Sequence, residues 1–528
     1  MFGGANEIGG NKILIDSKVS RIMLDFGRRM GFDSNFFSEF INPRTNTELR
    51  DRLIIGALPD IPGIYREDML KPNGLEHHRD HEKILTPDSP MLKYRGLETY
   101  EDHLKKHGKG YLDAVLISHA HLDHVGDLNF VHTDIPVCCT PVTRSLIKAI
   151  DDVTAFKSGA LESSRHDISY TKKGLFPDTP KISKKDRCLR ECMVASTGID
   201  DLQVKMIDVD HSVPGACSFL IDSPGNTILY SGDIRFHGSS PVSKDEYLKN
   251  VGKEVDIFIC EGTRVGSDSV ITEDMVQEDI SEEIGKTQGL VFVDFSWKDT
   301  TRYETIRKAA YENGRTFVID ARLAYLLNEL DMYPLDQDVK VFLRRNGSAL
   351  YSPNDYVRSK HELGFTVDGD ELDTTHYENG LTASEIMDDP GRYVLMLSYF
   401  QFNQLFDFTD EDGKIPGSYF IKAQCEPFSD DMELDEERMI NWLEHFDIGF
   451  QEENDGSKDK RCIRRSHVSG HASRPELKEL ISRLKPRVLI PVHTTCPEEF
   501  EDIAKEIKEE MGNDIRVVIP RSGERYEF

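Results

Sequence analysis

His119-Ala120-His121-Leu122-Asp123-His124 follows directly on the apolar, β-branched run from Leu112 to Ser118. Four side chains able to bind a metal ion therefore sit in one short loop at the end of a predicted strand. One or two exposed histidines in such a place are commonly incidental; the HxHxDH spacing rarely is. In an extended turn, residues two apart can face one ion while the next pair, Asp123 and His124, turns toward a second. One loop can thus serve two metals.

Three more ligand-type residues occupy the same topological position. His211 follows Lys205 to Asp210, Asp233 follows Thr227 to Gly232, and His493 follows Arg487 to Val492. Open α/β sheets assemble their sites from loops at the carboxyl ends of strands, so four loops can converge. Taken singly, Asp233 reads as a turn former and His211 or His493 as a hydrogen-bonded histidine; beside HxHxDH the metal reading is preferred. Imidazole donors with two carboxylates suit zinc, with manganese as the alternative, better than magnesium or calcium. Two ions roughly 3.5 to 4 Å apart can hold a bridging hydroxide and polarise a phosphoryl oxygen. The expected chemistry is a two-metal hydrolysis.

The rest of the chain predicts an α/β architecture. Val204 to Val209, Thr227 to Ser231, Val255 to Cys260, Leu290 to Phe295, Thr316 to Asp320 and Val488 to Val492 are apolar runs bounded by Gly, Asp, Pro or His, as strands are. After Leu290, a strand, a helix over Thr300 to Glu312, a Gly314 stop, a second strand and a second helix form a parallel βαβα unit, the start of an inserted domain. Residues 33–108 differ, being polar and broken by Pro43, Pro59, Pro62, Pro72, Pro87 and Pro90. They predict a helical and loop elaboration of the first domain, a structural excursion in preference to a substrate lid.

Length and composition set the limits. At 528 residues, 38% of them hydrophobic, the chain can build more than one core. No apolar run approaches the roughly 20 residues of a membrane span, and no leader pattern opens the chain, so a soluble, cytoplasmic protein is expected. Nine scattered cysteines, with only Cys138-Cys139 adjacent and Cys188 and Cys192 loosely paired, read as reduced thiols. A formal charge of −29 excludes a protein that coats nucleic acid through bulk charge. A polyanion must find a local cationic channel. Lys458, Lys460, Arg461, Arg464, Arg465 and Arg474 form a basic cluster in this acidic chain, with solvated surface charge as the plain alternative. Ser469 to Ser473 precedes a helical pattern from Pro475 to Leu484, where free N–H groups favour an anion.

These motifs resemble, in order, those of the metallo-β-lactamase superfamily, whose first motif is here Asp25 in Ile22-Met23-Leu24-Asp25-Phe26-Gly27. The resemblance implies that His119, His121 and His211 hold one metal, that Asp123, His124 and His493 hold the other, and that Asp233 bridges them. Asp25 would orient the ligand loop. Phe258-Ile259-Cys260-Glu261-Gly262-Thr263-Arg264 looks like motif A of the β-CASP nucleases, Ser469-Gly470-His471-Ala472-Ser473 like motif B, and Pro491-Val492-His493 like motif C. The implied fold is an αββα sandwich with an inserted α/β β-CASP domain: residues 1–260 as its first part, 261–465 as the insertion and 466–528 as its closing part. Within that branch the chain is most similar to RNase J and to relatives of the cleavage-and-polyadenylation endonuclease, as Gly3-Gly4-Ala5-Asn6-Glu7-Ile8-Gly9-Gly10-Asn11 supports. Two departures stand out. The segment after His493 leaves no room for the further C-terminal domain usual in RNase J, and relatives carry a short strand ahead of the Gly-Gly-Ala-Asn turn.

Single-stranded RNA is the substrate so implied. Asp123, Glu261 and His471 are the expected catalytic residues, with His471, held by the Glu261 carboxylate, protonating the departing ribose oxygen. Ser469, His471, Arg464 and Arg465 are the expected phosphate contacts. The plain alternative for Glu261 is an ion pair with Arg264. Phe295, Trp297 and Tyr303 offer stacking surfaces, although such aromatics are more often core. The rival readings are a DNA nuclease, a small-ester hydrolase on the same metal site, and a metal-free scaffold that binds RNA or a partner.

Overall fold

The computed structural model describes residues 1–38, 40–44, 47–70, 96–154, 158–167, 181–186, 189–191, 197–239, 242–332, 339–345, 380–425, 430–453 and 461–528. Alternation along the strands builds the first body. In the strand Ile257–Glu261, Ile257 and Ile259 turn to one apolar cluster while Phe258 and Cys260 turn to another, because successive side chains of a strand point to opposite faces. The same division runs through two sheets. One has five strands in the order Ile13–Asp16, Arg21–Leu24, Ala114–Leu116, Val137–Cys139, Leu189–Glu191. The other has seven, in the order Arg516–Val517, Val488–Val492, Ile257–Glu261, Asn226–Tyr230, Cys217–Ser223, Leu202–Asp208, Thr197–Ile199.

Ile22, Leu24 and Leu116 of the first sheet share one buried cluster with Phe219, Tyr230, Ile259 and Val492 of the second, so the sheets face each other. Their outer faces are covered by helices. Leu146, Ile147 and Ile150 of helix Pro141–Val153 pack on the first sheet. Helices Lys244–Val251, Arg474–Leu484 and Glu499–Met511 pack on the second through Tyr247, Leu480, Ile503 and their neighbours. The result is an αββα sandwich, the stable solution for two sheets each apolar on both faces.

The chain leaves the seven-stranded sheet after Glu261 and returns to it at Val488, beside the strand it left. Between these points lies a six-stranded, wholly parallel sheet in the order Gly380–Leu381, Val339–Phe342, Thr316–Ile319, Tyr393–Met396, Val291–Asp294, Tyr419–Lys422. Helices Glu273–Lys286, Thr300–Glu312 and Ala321–Glu329 cover one face and helix Asp430–His445 the other. Parallel strands are buried on both faces, which is why they read as continuous apolar runs.

Leu49, Leu53, Ile61, Ile64, Tyr65, Leu70 and Tyr100, within the proline-broken stretch, are buried in the cluster that covers the five-stranded sheet. These residues therefore pack as part of the first body; residues 71–95 of that stretch lie outside the described residues. Phe295 and Tyr303 are core residues of the six-stranded body, and Trp297 is half-buried against it. Cys138, Cys139, Cys217 and Cys260 are buried and Cys425 is exposed, and Cys188 and Cys192 lie outside the described residues.

Candidate active site

The run Leu112 to Ser118 yields a strand of only Ala114–Leu116. The Ser118 N–H donates to Asp25 Oδ1 instead of to a neighbouring strand, at 2.7 Å, and the chain breaks away into the histidine loop. Asp25, buried and in the left-handed region at φ 56°, is the hub of this turn. Its Oδ2 accepts from Ser118 Oγ at 2.8 Å, His124 Nδ1 at 2.8 Å and the Tyr230 hydroxyl at 2.7 Å, and Tyr230 accepts from Asn11 Nδ2. The glycine-rich opening closes on the same loop. Gly10 and Asn11 N–H groups donate to the Asp123 carbonyl, and the Gly4 carbonyl accepts from His493 N–H. Gly27 lies so close that a Cβ there would stand 1.5 Å from the Asp123 carbonyl oxygen.

Four loops bring His119, His121, His211 and Asp233 together, and beside them Asp123, His124 and His493; within each group the ligand-type atoms lie within 4.8 Å of one another. Asp233 Oδ2 reaches both groups, 3.6 Å from His119 Nε2, 3.8 Å from His211 Nε2, 3.2 Å from His124 Nε2 and 3.7 Å from His493 Nε2.

Hydrogen bonds at the far side of each ring decide which nitrogen faces inward. Ser118 Oγ spends its proton on Asp25, so it accepts from His119 Nδ1 at 3.0 Å. His211 Nδ1 donates to the Gly470 carbonyl at 2.6 Å, and His124 Nδ1 to Asp25. Thr263 Oγ1 donates to the His493 carbonyl and accepts from His493 Nδ1 at 2.8 Å. In the neutral imidazoles all four Nε2 atoms therefore carry lone pairs, and they point at carboxylates or at His121 Nδ1, which is 3.1 Å from both His119 Nε2 and His211 Nε2. Converging lone pairs in a buried site repel unless a cation stands among them. His124 Nε2 and Asp233 Oδ1 are buried without a hydrogen-bond partner, as ligand atoms awaiting a cation are. The donor set fits zinc.

Electrostatics divides the two groups. Burial, with the neighbouring imidazoles, holds His119, His121 and His211 well below the ordinary histidine range, so they are neutral donors. For His124 and His493 burial acts in the same sense but is outweighed by the carboxylates, chiefly Asp233, which hold His124 well above its usual value and push His493 up to about 9. A metal ion bound among these carboxylates would take the place of any such proton on the two rings.

Glu261 ends its strand fully buried, with Oε2 accepting from Thr263 N–H at 2.8 Å. Its Oε1 lies 3.4 Å from His471 Nδ1, and neither atom has a hydrogen-bond partner. Arg264 instead bonds Ser267 Oγ and the Ser269 carbonyl, so the alternative Glu261–Arg264 pair is absent among the described residues. His471 faces the cluster 3.9 Å from Asp233 Oδ2. Ser469 Oγ accepts from His471 N–H, while its carbonyl is clamped by Arg235 and by His237 Nε2. Gly470 leaves space for His211, whose ring a Cβ at 470 would meet at 2.8 Å.

The arginines of the basic cluster are engaged elsewhere. Arg464 pairs with Asp279 and Gln451, Arg465 with Glu436 and Glu453, and Arg461 with Glu444 and Glu452; none of these partners belongs to the histidine cluster. Lys458 and Lys460 lie outside the described residues. Several site residues escaped the sequence reading. Lys298, in the loop after strand Val291–Asp294, acts electrostatically on both His121 and Asp123. Arg235, fully buried, bonds Asp210, the His211 carbonyl and the Ser469 carbonyl at once. Its place two residues after Asp233 was its only sequence signal, and Lys298 had none.

The family described as "Beta-lactamase superfamily domain" matches residues 97–287, and the "Zn-dependent metallo-hydrolase RNA specificity domain" matches residues 460–520. Ribonuclease J of Methanocaldococcus jannaschii is 21% identical, covering 100% of this chain and 98% of its own. Ribonuclease J of Pyrococcus abyssi is 22% identical over 78% of this chain and 80% of its own, and that of Sinorhizobium meliloti 23% over 72% and 57%. In fold, a protein of unknown function from Enterococcus faecalis superposes with a TM-score of 0.65 at 19% identity, over 99% of this chain and 97% of that one. With both family domains matched in chain order and full-length likeness to such a relative, the chain is similar to the metallo-β-lactamase superfamily in its β-CASP, RNase J-like branch.

Proposed function

We propose that this chain is a zinc-dependent ribonuclease that hydrolyses phosphodiester bonds of single-stranded RNA, with residues 261–465 as the β-CASP insertion. The observation that carries the reading is the convergence of seven ligand-type side chains in two groups that share Asp233, beside the Glu261–His471 pair. His119, His121 and His211 would hold one zinc ion, Asp123, His124 and His493 a second, and Asp233 both. Two bound zinc ions supply Lewis acidity and a water of lowered pKa, the chemistry that hydrolysis of a phosphodiester needs.

The protein's own groups do the rest. Asp25, Ser118, Gly470 and Thr263 fix the orientation of four imidazoles, so their donor atoms are already aimed at the metal ions they would hold. His471, set against the buried Glu261 carboxylate, holds a proton beside the cleft and delivers it to the departing ribose oxygen. Arg235 and His237 hold the Ser469 carbonyl and so place the Ser469 hydroxyl for a phosphate, whereas the N–H groups of His471, Ala472, Ser473 and Arg474, expected from the sequence to be free for an anion, are donated to Ser469 Oγ, the Ile234 carbonyl, Glu476 and the Ser267 carbonyl. Lys298 lies on the side of the six-stranded sheet, where burial lowers the pKa of its ammonium group and Asp123 opposes that shift. Arg464 and Arg465 would reach a phosphate only by exchanging their carboxylate partners.

No helix among the described residues is long and apolar enough to cross a membrane, and we place the activity in the cytoplasm. The test is cleavage of 5′-labelled single-stranded RNA and matched DNA by zinc-loaded protein, with Asp123→Ala as control. RNA cleavage lost in the variant is the expected result. Cleavage of DNA alone would make the chain a DNA nuclease, and cleavage of neither by zinc-loaded protein would leave a small-ester hydrolase or an RNA-binding scaffold.

A further inference from the structure

A second histidine cluster lies outside the cleft. Helix Tyr100–His107 is capped by Thr99, whose side chain and Asp102 form a reciprocal capping box. His103 and His107, four apart, lie one turn above the other on one helical face, their rings tilted by 34° with centroids 4.3 Å apart. Glu98, just before the cap, turns back onto that face. Its Oε1 is 2.5 Å from His103 Nδ1 and 3.7 Å from His107 Nε2, and the ligand atoms of the three residues lie within 4.8 Å of one another.

We propose that Glu98, His103 and His107 form a peripheral divalent-cation site that takes zinc, distinct from the histidine-rich cleft. Two imidazoles and one carboxylate suit a borderline ion and discriminate against magnesium and calcium. Two of the three ligands are already fixed. His103 is packed under Gly63, where a Cβ would come within 2.7 Å of its ring, and stands edge-on to Tyr111 at 5.6 Å. Lys106 bonds the other carboxylate oxygen at 3.1 Å, which keeps Glu98 ionised, and Oε1, hydrogen-bonded to His103 Nδ1, is the oxygen a cation would take over by replacing the shared proton. The third ligand, His107, has 45% of its side chain exposed, so the ion has an entry path and an open coordination position for water. Because the ligands lie within ten residues of one another, binding closes a short loop at small entropic cost. The ion would tie the start of this helix to the strand of chain before it, on the outside of the first body.

The test is metal content. Untagged full-length protein is stripped with chelator, equilibrated with zinc and freed of excess, and its zinc is counted in the parent, in His103→Gln/His107→Gln and in His107→Gln alone. The expected result is a loss of one zinc per chain in the double variant with cleavage of RNA unchanged. His107→Gln, at an exposed position that burdens no packing, is expected to weaken retention of that same ion. Equal zinc content in parent and folded variants would overturn the site and reduce the cluster to a hydrogen-bonded ion pair. This outcome is independent of the ribonuclease reading, which depends on the cleft alone.

Discussion

Asp25→Asn tests how the cleft is held. The carboxylate accepts four hydrogen bonds, from Ser118 N, Ser118 Oγ, His124 Nδ1 and the Tyr230 hydroxyl, all at 2.7–2.8 Å and all buried. Asn keeps the shape and tolerates the left-handed backbone at φ 56°, so neither strain nor a cavity enters the comparison. Its Oδ1 retains the Ser118 N–H. Its amide NH2, however, faces three groups that used to donate. The two hydroxyls can rotate to accept, but the imidazole can accept only by moving its proton from Nδ1 to Nε2. That is the nitrogen which lies 3.2 Å from Asp233 Oδ2 and 3.8 Å from Asp123 Oδ2. The lone pair aimed at the metal is then blocked. Loss of such an orienting partner weakens metal binding by about 10- to 100-fold, or about 1.4 to 2.7 kcal/mol. Zinc affinity measured by competition with a chelator should fall by that factor, while RNA cleavage recovers in excess zinc. Unchanged zinc affinity in a folded Asp25→Asn protein would refute the tautomer argument and with it the role given to Asp25.

Four further outcomes are expected. Asp233→Ala should abolish RNA cleavage and lower zinc content while the circular dichroism spectrum stays that of the parent; residual turnover with full zinc would remove the shared-ligand role. His471→Ala should lower kcat without loss of zinc, and Glu261→Gln added to it should cost little more, since the two act as one unit; additive losses would separate them. Arg302 is buried in an ion pair with Glu273 at 2.8 Å and also donates to the Ala423 and Ser466 carbonyls, so Arg302→Ala should destabilise the fold by about 3–5 kcal/mol in urea unfolding; a change near zero would show that the pair is not desolvated. His467 is pushed down to about 3 by burial and by the nearby Arg302 cation. It is neutral in the folded chain and takes a proton on unfolding below pH 6.5, so stability is complete above that pH. Each unit of acidification between pH 6.5 and pH 3 then costs up to about 1.4 kcal/mol from this residue, less where solvent reaches it. His467→Gln should flatten that limb of the stability profile, and an unchanged acid limb would exclude the contribution.

Much of this protein is legible in the linear chain because the signals are local. The αββα sandwich follows from runs such as Val255 to Cys260, whose alternate residues serve two different cores. The ligand residues are recognisable because HxHxDH places four donors in one loop, and His211, Asp233 and His493 each end a strand that topology carries to the same edge. Helix Thr300–Glu312 falls where the apolar spacing and Gly314 predict it. What only the tertiary structure decides is how charges and protons are paired, because the partners are remote in sequence. Arg464 reads as a free phosphate contact until Asp279, 185 positions earlier, is folded against it. The inward-facing nitrogen of His211 depends on the Gly470 carbonyl 259 positions away, and that of His493 on Thr263 at a separation of 230. Lys298 belongs to the cleft only because the six-stranded body meets the first one there, and Arg235 only because Ser469, 234 positions away, folds against it. Local sequence specifies which donors exist; long-range folding specifies which lone pairs they present, since an imidazole's tautomer is set by the group behind it.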